Sequence, residues 1–371
     1  MKNIPALNRG LPEDWRSGTF LGRIETSEGP TPILIRDGRV FDMAKVAPTV
    51  ADLIAQNVRE GGLELGGIEV LDEATLLSPI DLQCVKACGV TFAVSALERV
   101  IEERARGDYR KAQELRGKIE DALGGSVRTT VPGSPEADAL KQTLIGEDLW
   151  SQYLEVAIGP DAEVFTKCPV LATVGQDADI GVRSDSSWNN PEPEVVMVAG
   201  PDGKAVGATL GNDVNLRDFE GRSALLLGKA KDNNASCSLG PFIRLFDAGY
   251  TIEDVRSADV AMTIEGTDGY RLEGHSTMRE ISRDPEDLLG QAMSEHQYPD
   301  GLVLFCGTLF APTQDRDEPG KGFTHKVGDT VTISSARLGT LTNTVRTSAE
   351  VAPWTFGLSD LFQNLAKRGL L

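Results

Sequence analysis

Two stretches limit what this chain can fold into more than any others. Trp188-Asn-Asn-Pro-Glu-Pro-Glu-Val-Val-Met-Val198 sets a Glu-Pro-Glu pair at the entry to a β-branched run, and Gly211-Asn-Asp-Val-Asn-Leu-Arg-Asp-Phe-Glu220 supplies an Asp nineteen residues beyond the second Glu. Side chains two apart in extended backbone share a face. Glu192 and Glu194 therefore aim both carboxylates at one point, anchored by the apolar run from Val195 to Val198. A neighbouring strand from Val206 to Leu210 is placed to deliver Asp213. Gly211-Asn212 is a turn-forming pair, which predicts Asp213 at a strand end, where ligands commonly bind. An acidic cluster on an acidic chain is ordinarily solvated surface. Three hard oxygen donors with no His or Cys nearby, however, suit Mg²⁺ or Mn²⁺ and suit Zn²⁺ poorly. Carboxylates this close repel one another unless a cation or protons intervene.

Charge and composition remove several function classes. A formal charge of −19 argues against nucleic acid, whose phosphates need a basic face, and against an anionic membrane surface. An anionic substrate must be drawn by local charge, from a metal or a placed Lys or Arg. No apolar run approaches the roughly 20 residues of a membrane span, and Met1 to Leu7 shows no signal-peptide core. Five scattered cysteines (Cys84, Cys88, Cys168, Cys237 and Cys306) read as reduced thiols of a cytoplasmic protein. Cys84 and Cys88 lack a second pair or a His to complete a zinc set, so they read as structural. Three histidines leave few imidazole bases, and no nucleophile elbow, P-loop or dinucleotide glycine fingerprint occurs.

At 371 residues the expected organisation is a main domain plus a smaller one. Residues 1–80 read as a small β-rich N-terminal domain, with short strands over 19–25, 32–36 and 39–42, a helix over 49–56, and a linker near Pro79 and Asp81. Residues 81–371 form the larger domain, entered by a strand over 86–92. Leu115, Ile119 and Leu123 recur at helical spacing within the charged stretch 98–123, with a break at Gly107-Asp108. Beyond Ser126 strand signals dominate: 195–198, 206–210, 261–264, 301–305 and 330–333, with helices at 222–229 and 285–293. The sum is a mainly β (α+β) architecture, a sandwich or rolled sheet.

Gly211 to Glu220, Ala230-Lys231 and Leu239-Gly-Pro241 together resemble the fumarylacetoacetate hydrolase superfamily. Gly307-Thr308, Val327-Gly-Asp329 and Leu338-Gly-Thr-Leu-Thr-Asn343 look like its closing elements. Leu11 to Trp15, Ile101 to Gly107, Leu149 to Pro160, Lys229 to Cys237, Gln297 to Gly301 and Pro353 to Gly357 are similar to its bacterial 2-keto-3-deoxy sugar-acid dehydratase branch. The resemblance implies a β-roll or sandwich catalytic domain with a small N-terminal domain, a divalent metal and a homodimer or homotetramer. The chain also departs from the hydrolase pattern. Ser95 falls where hydrolases carry the His of a His-x-x-Glu pair, Glu220 replaces a usual Gln, and Asp232-Asn233-Asn234 follows the Lys.

These matches imply Glu192, Glu194 and Asp213 as metal ligands, and Lys231 as the group that binds the substrate's anionic end or moves a proton. A Lys beside a divalent cation is expected to have a lowered pKa, suiting a base; the plainer alternative is a surface Lys in an ion pair. Thr308 is a candidate carboxylate donor or simply a β-former. Glu98 and Glu220 are candidates for a second proton step or surface carboxylates, and Asn212 and Arg217 read as braces for the Asp213 loop. The implied substrate is a 2-keto-3-deoxy sugar acid, dehydrated to α-ketoglutarate semialdehyde. The rivals are a C–C hydrolase or decarboxylase of 2,4-dioxo acids and a non-catalytic, metal-stabilised binding protein.

Overall fold

The computed structural model describes residues 10–317 and 322–371; the Met1 to Leu7 signal-peptide reading lies outside them. A meander opens the chain: β1 (Phe20–Thr26), β2 (Gly29–Arg36) and β3 (Arg39–Asp42), then α1 (Val50–Ala55), β4 (Leu63–Gly67), β5 (Thr75–Leu77) and β6 (Cys84–Gly89). Helices α2 (Ala93–Ala105), α3 (Tyr109–Thr129), α4 (Pro135–Gly146) and α5 (Gln152–Ile158) follow. Next come β7 (Glu163–Cys168), β8 (Asp179–Val182), β9 (Asn189–Asn190), β10 (Pro193–Ala199), β11 (Ala205–Asp213), β12 (Asn215–Leu216), α6 (Arg217–Glu220) and α7 (Leu227–Lys231). The remainder is β13 (Cys237–Leu245), α8 (Ile252–Arg256), β14 (Asp259–Glu265), β15 (Arg271–Thr277), α9 (Pro285–Met293), β16 (Leu302–Phe305), β17 (Thr330–Ser335), β18 (Gly339–Thr347) and α10 (Leu358–Lys367).

The strands assemble into an eleven-stranded sheet, ordered β4-β3-β2-β1-β13-β11-β10-β16-β6-β7 with β5 on β1, and a five-stranded sheet, β15-β14-β17-β18-β8. Alternation along β10 explains how they pack. Val195 and Met197 join Val260, Met262, Ile264, Val331, Ile333 and Leu341 in the core between the sheets. Val196 and Val198 point the other way, into a cluster with Leu34, Leu53, Ile243, Val303 and Phe305. With both faces covered, β10 is buried along its whole length, which is why it reads as a continuous apolar run rather than an alternating one. The expected β-rich α+β class is the one observed.

The N-terminal strands continue the main sheet, with Phe20 opposite Arg244 and Leu21 opposite Ile243. The segment read as a linker is tied down. The Asp81 carboxylate accepts from Val50 N at 2.6 Å and Ala51 N at 3.1 Å, capping α1, and Arg23 Nη1 donates to Ile80 O at 2.6 Å. All five cysteines are free. No helix among the described residues is long and apolar enough to cross a membrane.

The stretch after Ser126 corrects the strand-dominated expectation. Helix α3 runs to Thr129, and α4 and α5 follow before the next strand. Their signals are local: Ser134 Oγ accepts from Ala137 N at 3.2 Å with Pro135 at the first helical position, and Ser151 Oγ accepts from Tyr153 N at 3.2 Å. The apolar stripes of α2 to α5 bury one another in a separate cluster that includes Leu97, Val100, Ile119, Leu123, Leu144, Tyr153 and Trp188.

Candidate metal centre

Strand parity builds the site. Glu194 shares a face with Val196 and Val198, and β10 pairs with β11 so that Glu194 lies opposite Gly211 and Pro193 opposite Asn212. Asp213 N donates to Glu192 O at 3.0 Å, which brings Asp213 beside Glu192 on the Glu194 face. Ligand oxygens of Glu192, Glu194 and Asp213 lie within 4.8 Å of one another, and all three residues are buried. Gly211 and Asn212 do not form the expected turn; both lie within β11, and the strand runs on to Asp213. Gly211 is a packing necessity, since a Cβ there would meet Phe305 at 2.3 Å. Asn212 does brace the site: its Oδ1 accepts from Glu192 N at 3.0 Å.

Every oxygen of the trio has a donor or cation against it. Gly307 N donates to Glu194 Oε2 at 2.7 Å and Thr308 Oγ1 to Glu194 Oε1 at 3.3 Å. Lys231 Nζ bridges Glu192 Oε2 and, at 3.0 Å, Asp213 Oδ2. Lys231 is buried and contacts two of the trio, so it is not the surface lysine of the alternative reading. Two cations went unnoticed in the sequence. Lys167, fully buried on β7, sits 2.8 Å from Asp213 Oδ1, and Arg99 Nη2 sits 2.8 Å from Glu192 Oε1. Neither belongs to a motif; only the pairing of β7 and the face of α2 bring them in.

At Glu194 the electrostatics ask for more positive charge, whereas at Asp213 burial is outweighed by Lys167 and Lys231, which hold the carboxyl below its ordinary range. Burial first, then Asp213 and Glu192, push the Glu194 carboxyl well above its ordinary range. Burial is also the largest influence on Lys231 and opposes its charge, but Asp213, Glu192 and Glu220 outweigh it and hold the ammonium above the usual lysine range. The lowering expected of Lys231 concerns a site with a divalent ion bound; facing the carboxylates alone, Lys231 is a charged donor to Glu192 and Asp213. Three carboxylates with hard oxygen donors, mutually repelling and buried, fit a divalent ion of the Mg²⁺ type.

The other two carboxylate candidates separate. Glu98 pairs with Arg116 and, at 3.9 Å, with Arg217, away from the trio. Arg217 stacks on Trp188 at 5.4 Å and pairs with Glu102 at 3.1 Å, so it braces α2 rather than the Asp213 loop. Glu220 does line the cleft over the trio, together with Ser95, Arg99, Glu163, Lys231 and Thr308. Burial, the dominant cause, raises its pKa to about 7. Glu163, which the sequence reading overlooked, lies on β7 directly opposite Gly89. It has no hydrogen-bond or ion-pair partner among the described residues, and burial raises its pKa. A roomier cavity, about 550 Å³ between β1, β5 and residues 171–178, lies apart from these carboxylates.

The sheet, the carboxylate trio and its buried lysine together make a buried oxygen-donor site able to hold a divalent ion. The family pattern described as fumarylacetoacetate (FAA) hydrolase C-terminal matches residues 153–346. A Haloferax volcanii protein described as a probable 2-keto-3-deoxyxylonate dehydratase is 33% identical over 310 residues, 84% of this chain and 88% of its own. The 2-dehydro-3-deoxy-D-arabinonate dehydratase of Saccharolobus solfataricus is 31% identical over 203 residues, 55% of this chain and 64% of its own. Among solved structures, a 2-keto-3-deoxy-D-arabinonate dehydratase complexed with magnesium and 2,5-dioxopentanoate shares the fold, with TM-score 0.62 and 22% identity over 89% of this chain and 99% of that one. The chain belongs to the fumarylacetoacetate hydrolase family.

Proposed function

We propose that this chain dehydrates a 2-keto-3-deoxy pentonate, 2-keto-3-deoxy-D-xylonate in the first instance, to α-ketoglutarate semialdehyde (2,5-dioxopentanoate). The observation that carries the reading is that the place of a water-activating pair is structurally spent while the trio is complete. Ser95 Oγ donates to Phe92 O at 2.8 Å inside its own helix turn, and Glu98 is held by Arg116 and Arg217. No imidazole lines the cleft. What the cleft does offer, an unpaired carboxylate at Glu163 and a carboxyl of raised pKa at Glu220, is the base for a carbon acid and the acid for a leaving hydroxyl that an elimination needs.

Glu192, Glu194 and Asp213 would hold Mg²⁺ or Mn²⁺, which when bound supplies a Lewis acid for the oxo and carboxylate oxygens of such a substrate. Lys231 and Thr308 orient the anionic end. Glu163 is the unpaired carboxylate of the cleft and takes a proton from C3. As the C4–O bond breaks, Glu220, whose pKa of about 7 keeps much of it protonated near neutrality, gives its proton to the departing hydroxyl. Loss of one C3 proton and the C4 hydroxyl is loss of one water. Moving a C5 proton then gives the 2,5-dioxo acid with the carbon skeleton whole. The names of the two dehydratase relatives support the substrate class, and the 2,5-dioxopentanoate in the solved relative supports the product. A cytoplasmic homodimer or homotetramer, with residues 1–80 as its smaller unit, completes the reading.

The test is product analysis of purified protein with Mg²⁺ and 2-keto-3-deoxy-D-xylonate, with and without chelator. Metal-dependent semialdehyde is expected. Pyruvate with a two-carbon fragment would replace the reading with C–C cleavage.

A further inference from the structure

Arg99 is the one cation of the cleft that the chemistry above leaves without a role. It projects from α2, is 8% exposed, and spans three carboxylates: Glu102 at 2.6 Å and Glu220 at 2.8 Å from Nη1, and Glu192 at 2.8 Å from Nη2. Neutralising them would be reason enough for a positive charge. It does not explain the fork. A guanidinium carries five N–H donors in one plane; hydrogen bonds to Glu102 and Glu192 use two, and the Glu220 contact is an ion pair. The second hydrogen of Nη2 and the one on Nε have no acceptor among the described residues, on a side chain that lines the cleft.

The surroundings say what those donors can meet. The carboxylate of Glu192 carries Lys231 on one oxygen and Arg99 on the other. Arg99 therefore stands one carboxylate away from Lys231, the group that would hold the acid's anionic end. Gly307 N and Thr308 Oγ1 donate at Glu194, another carboxylate of the trio. Toward Arg99 the remaining cleft groups are Ser95, Glu163 and Glu220. Ser95 Oγ is occupied within its helix, Glu163 is the base, and Glu220 can give a proton but supplies no fixed positive charge. A hydroxyl β to the ketone needs a donor, and the open edge of Arg99 is the cationic donor on that side.

We propose that Arg99 is the specificity-determining residue of this cleft. It receives the C4 hydroxyl of a 3-deoxy-2-oxo acid and, through its Nη1 contact, keeps Glu220 beside the same oxygen. The proposal rests on the dehydratase reading for its substrate, and its test keeps the two apart. As the C4–O bond breaks, the bonding pair goes to oxygen, the Glu220 proton completes water, and Arg99 stabilises the charge without changing its own protonation.

The experiment compares Mg²⁺-loaded wild type with Arg99→Gln and Arg99→Lys. Three quantities are read: kcat/KM for 2-keto-3-deoxy-D-xylonate, the inhibition constant of 2-oxopentanoate (which lacks the C4 hydroxyl), and the Mg²⁺ dissociation constant by calorimetry. For Arg99→Gln, kcat/KM should fall about 10²- to 10³-fold, the scale of losing one preorganised donor at a developing negative charge. The other two constants should stay within about threefold. Arg99→Lys should recover part of the loss, since it restores charge but not the fork. Parallel weakening of Mg²⁺ and 2-oxopentanoate binding would overturn the proposal and leave Arg99 as a brace for Glu192; an unchanged kcat/KM would overturn it outright. If the wild type leaves the sugar acid intact, the dehydratase reading fails. Both ligands are then inert, and calorimetry gives the ratio of their dissociation constants; a ratio unaltered by Arg99→Gln refutes the proposal by itself.

Discussion

Glycine 89 offers the sharpest test of how this site is built. It lies on β6 directly across from Glu163 on β7. A Cβ added there would stand 2.0 Å from Glu163 Oε2 and 2.7 Å from its Cδ. No backbone atom is in the way, so Gly89→Ala leaves the fold a cheap escape. The carboxylate swings aside, by more than about 1 Å to regain van der Waals distance. The cost in stability should therefore sit at or below the roughly 1–3 kcal/mol of ordinary overpacking. The cost in rate should be far larger. A misplacement of about 1 Å in a reacting group is worth on the order of 10²-fold, and loss of a general base about 10²- to 10⁴-fold. Semialdehyde formation by Gly89→Ala, Glu163→Gln and the double variant should be followed alongside thermal unfolding and Mg²⁺ calorimetry. We expect kcat to drop about 10²-fold or more in each single variant, with Mg²⁺ affinity and melting temperature nearly unchanged. The double variant should be no slower than Glu163→Gln, because both changes remove one function. Gly89→Ala retaining a third or more of wild-type kcat, or a double variant whose losses multiply, would refute the role of Glu163.

Three further outcomes are expected. Glu220 must be protonated to serve the leaving hydroxyl, and burial sets its pKa at about 7; wild-type kcat should thus decline as pH rises through about 7. Glu220→Gln should be slower but flat across that range, and a surviving decline would assign the titration elsewhere. Lys167→Met strips the buried cation from Asp213 Oδ1 and should cost about 3–5 kcal/mol in chemical denaturation, the scale for an orphaned buried charge; a loss below about 1 kcal/mol would show that Lys231 alone suffices. Chelation should abolish turnover, with Mg²⁺ or Mn²⁺ restoring it. Saturating Mg²⁺ at a hundredfold its Kd should stabilise the wild type by about 2.7 kcal/mol, and Glu194→Gln should lose that shift.

The carboxylate trio was legible because its geometry is encoded locally. A two-residue period puts Glu192 and Glu194 on one face, and a hairpin length of chain brings Asp213 back beside them. Lys231 and Thr308 entered through short motifs around them. The helical insert was half legible: the apolar spacing of α3 is visible, whereas α4 and α5 announce themselves mainly by their caps at Ser134 and Ser151. Arg99, Lys167 and Glu163 were not legible. Each sits on an element whose own pattern is unremarkable, and each reaches the trio only through long-range pairing.

The glycines show most plainly why that pairing matters. Read along the chain, Gly89, Gly211 and Gly307 are punctuation, and Gly211 even suggests a turn that does not form. Read across the sheet they fall near one row. Glu163 faces Gly89; Ala87 pairs with Phe305, which places Gly89, the last residue of β6, and Gly307, two residues past β16, at matching steps; Gly307 N binds Glu194, and Glu194 faces Gly211. Across the sheet the row runs Glu163, Gly89, Gly307, Glu194 and Gly211. The three clearances differ in kind: a Cβ would meet Glu163 at Gly89, Phe305 at Gly211 and Thr91 at Gly307, where φ is also +108°. Their joint effect is one. Where a β-sheet would ordinarily cover this row with side chains, it leaves room for acids to turn inward and for a small substrate to approach. A site of this kind is specified by what is missing at particular register positions. That information exists only once the register is known, and it predicts that substitutions at glycines outside any motif will be as damaging to catalysis as loss of the carboxylates they make room for.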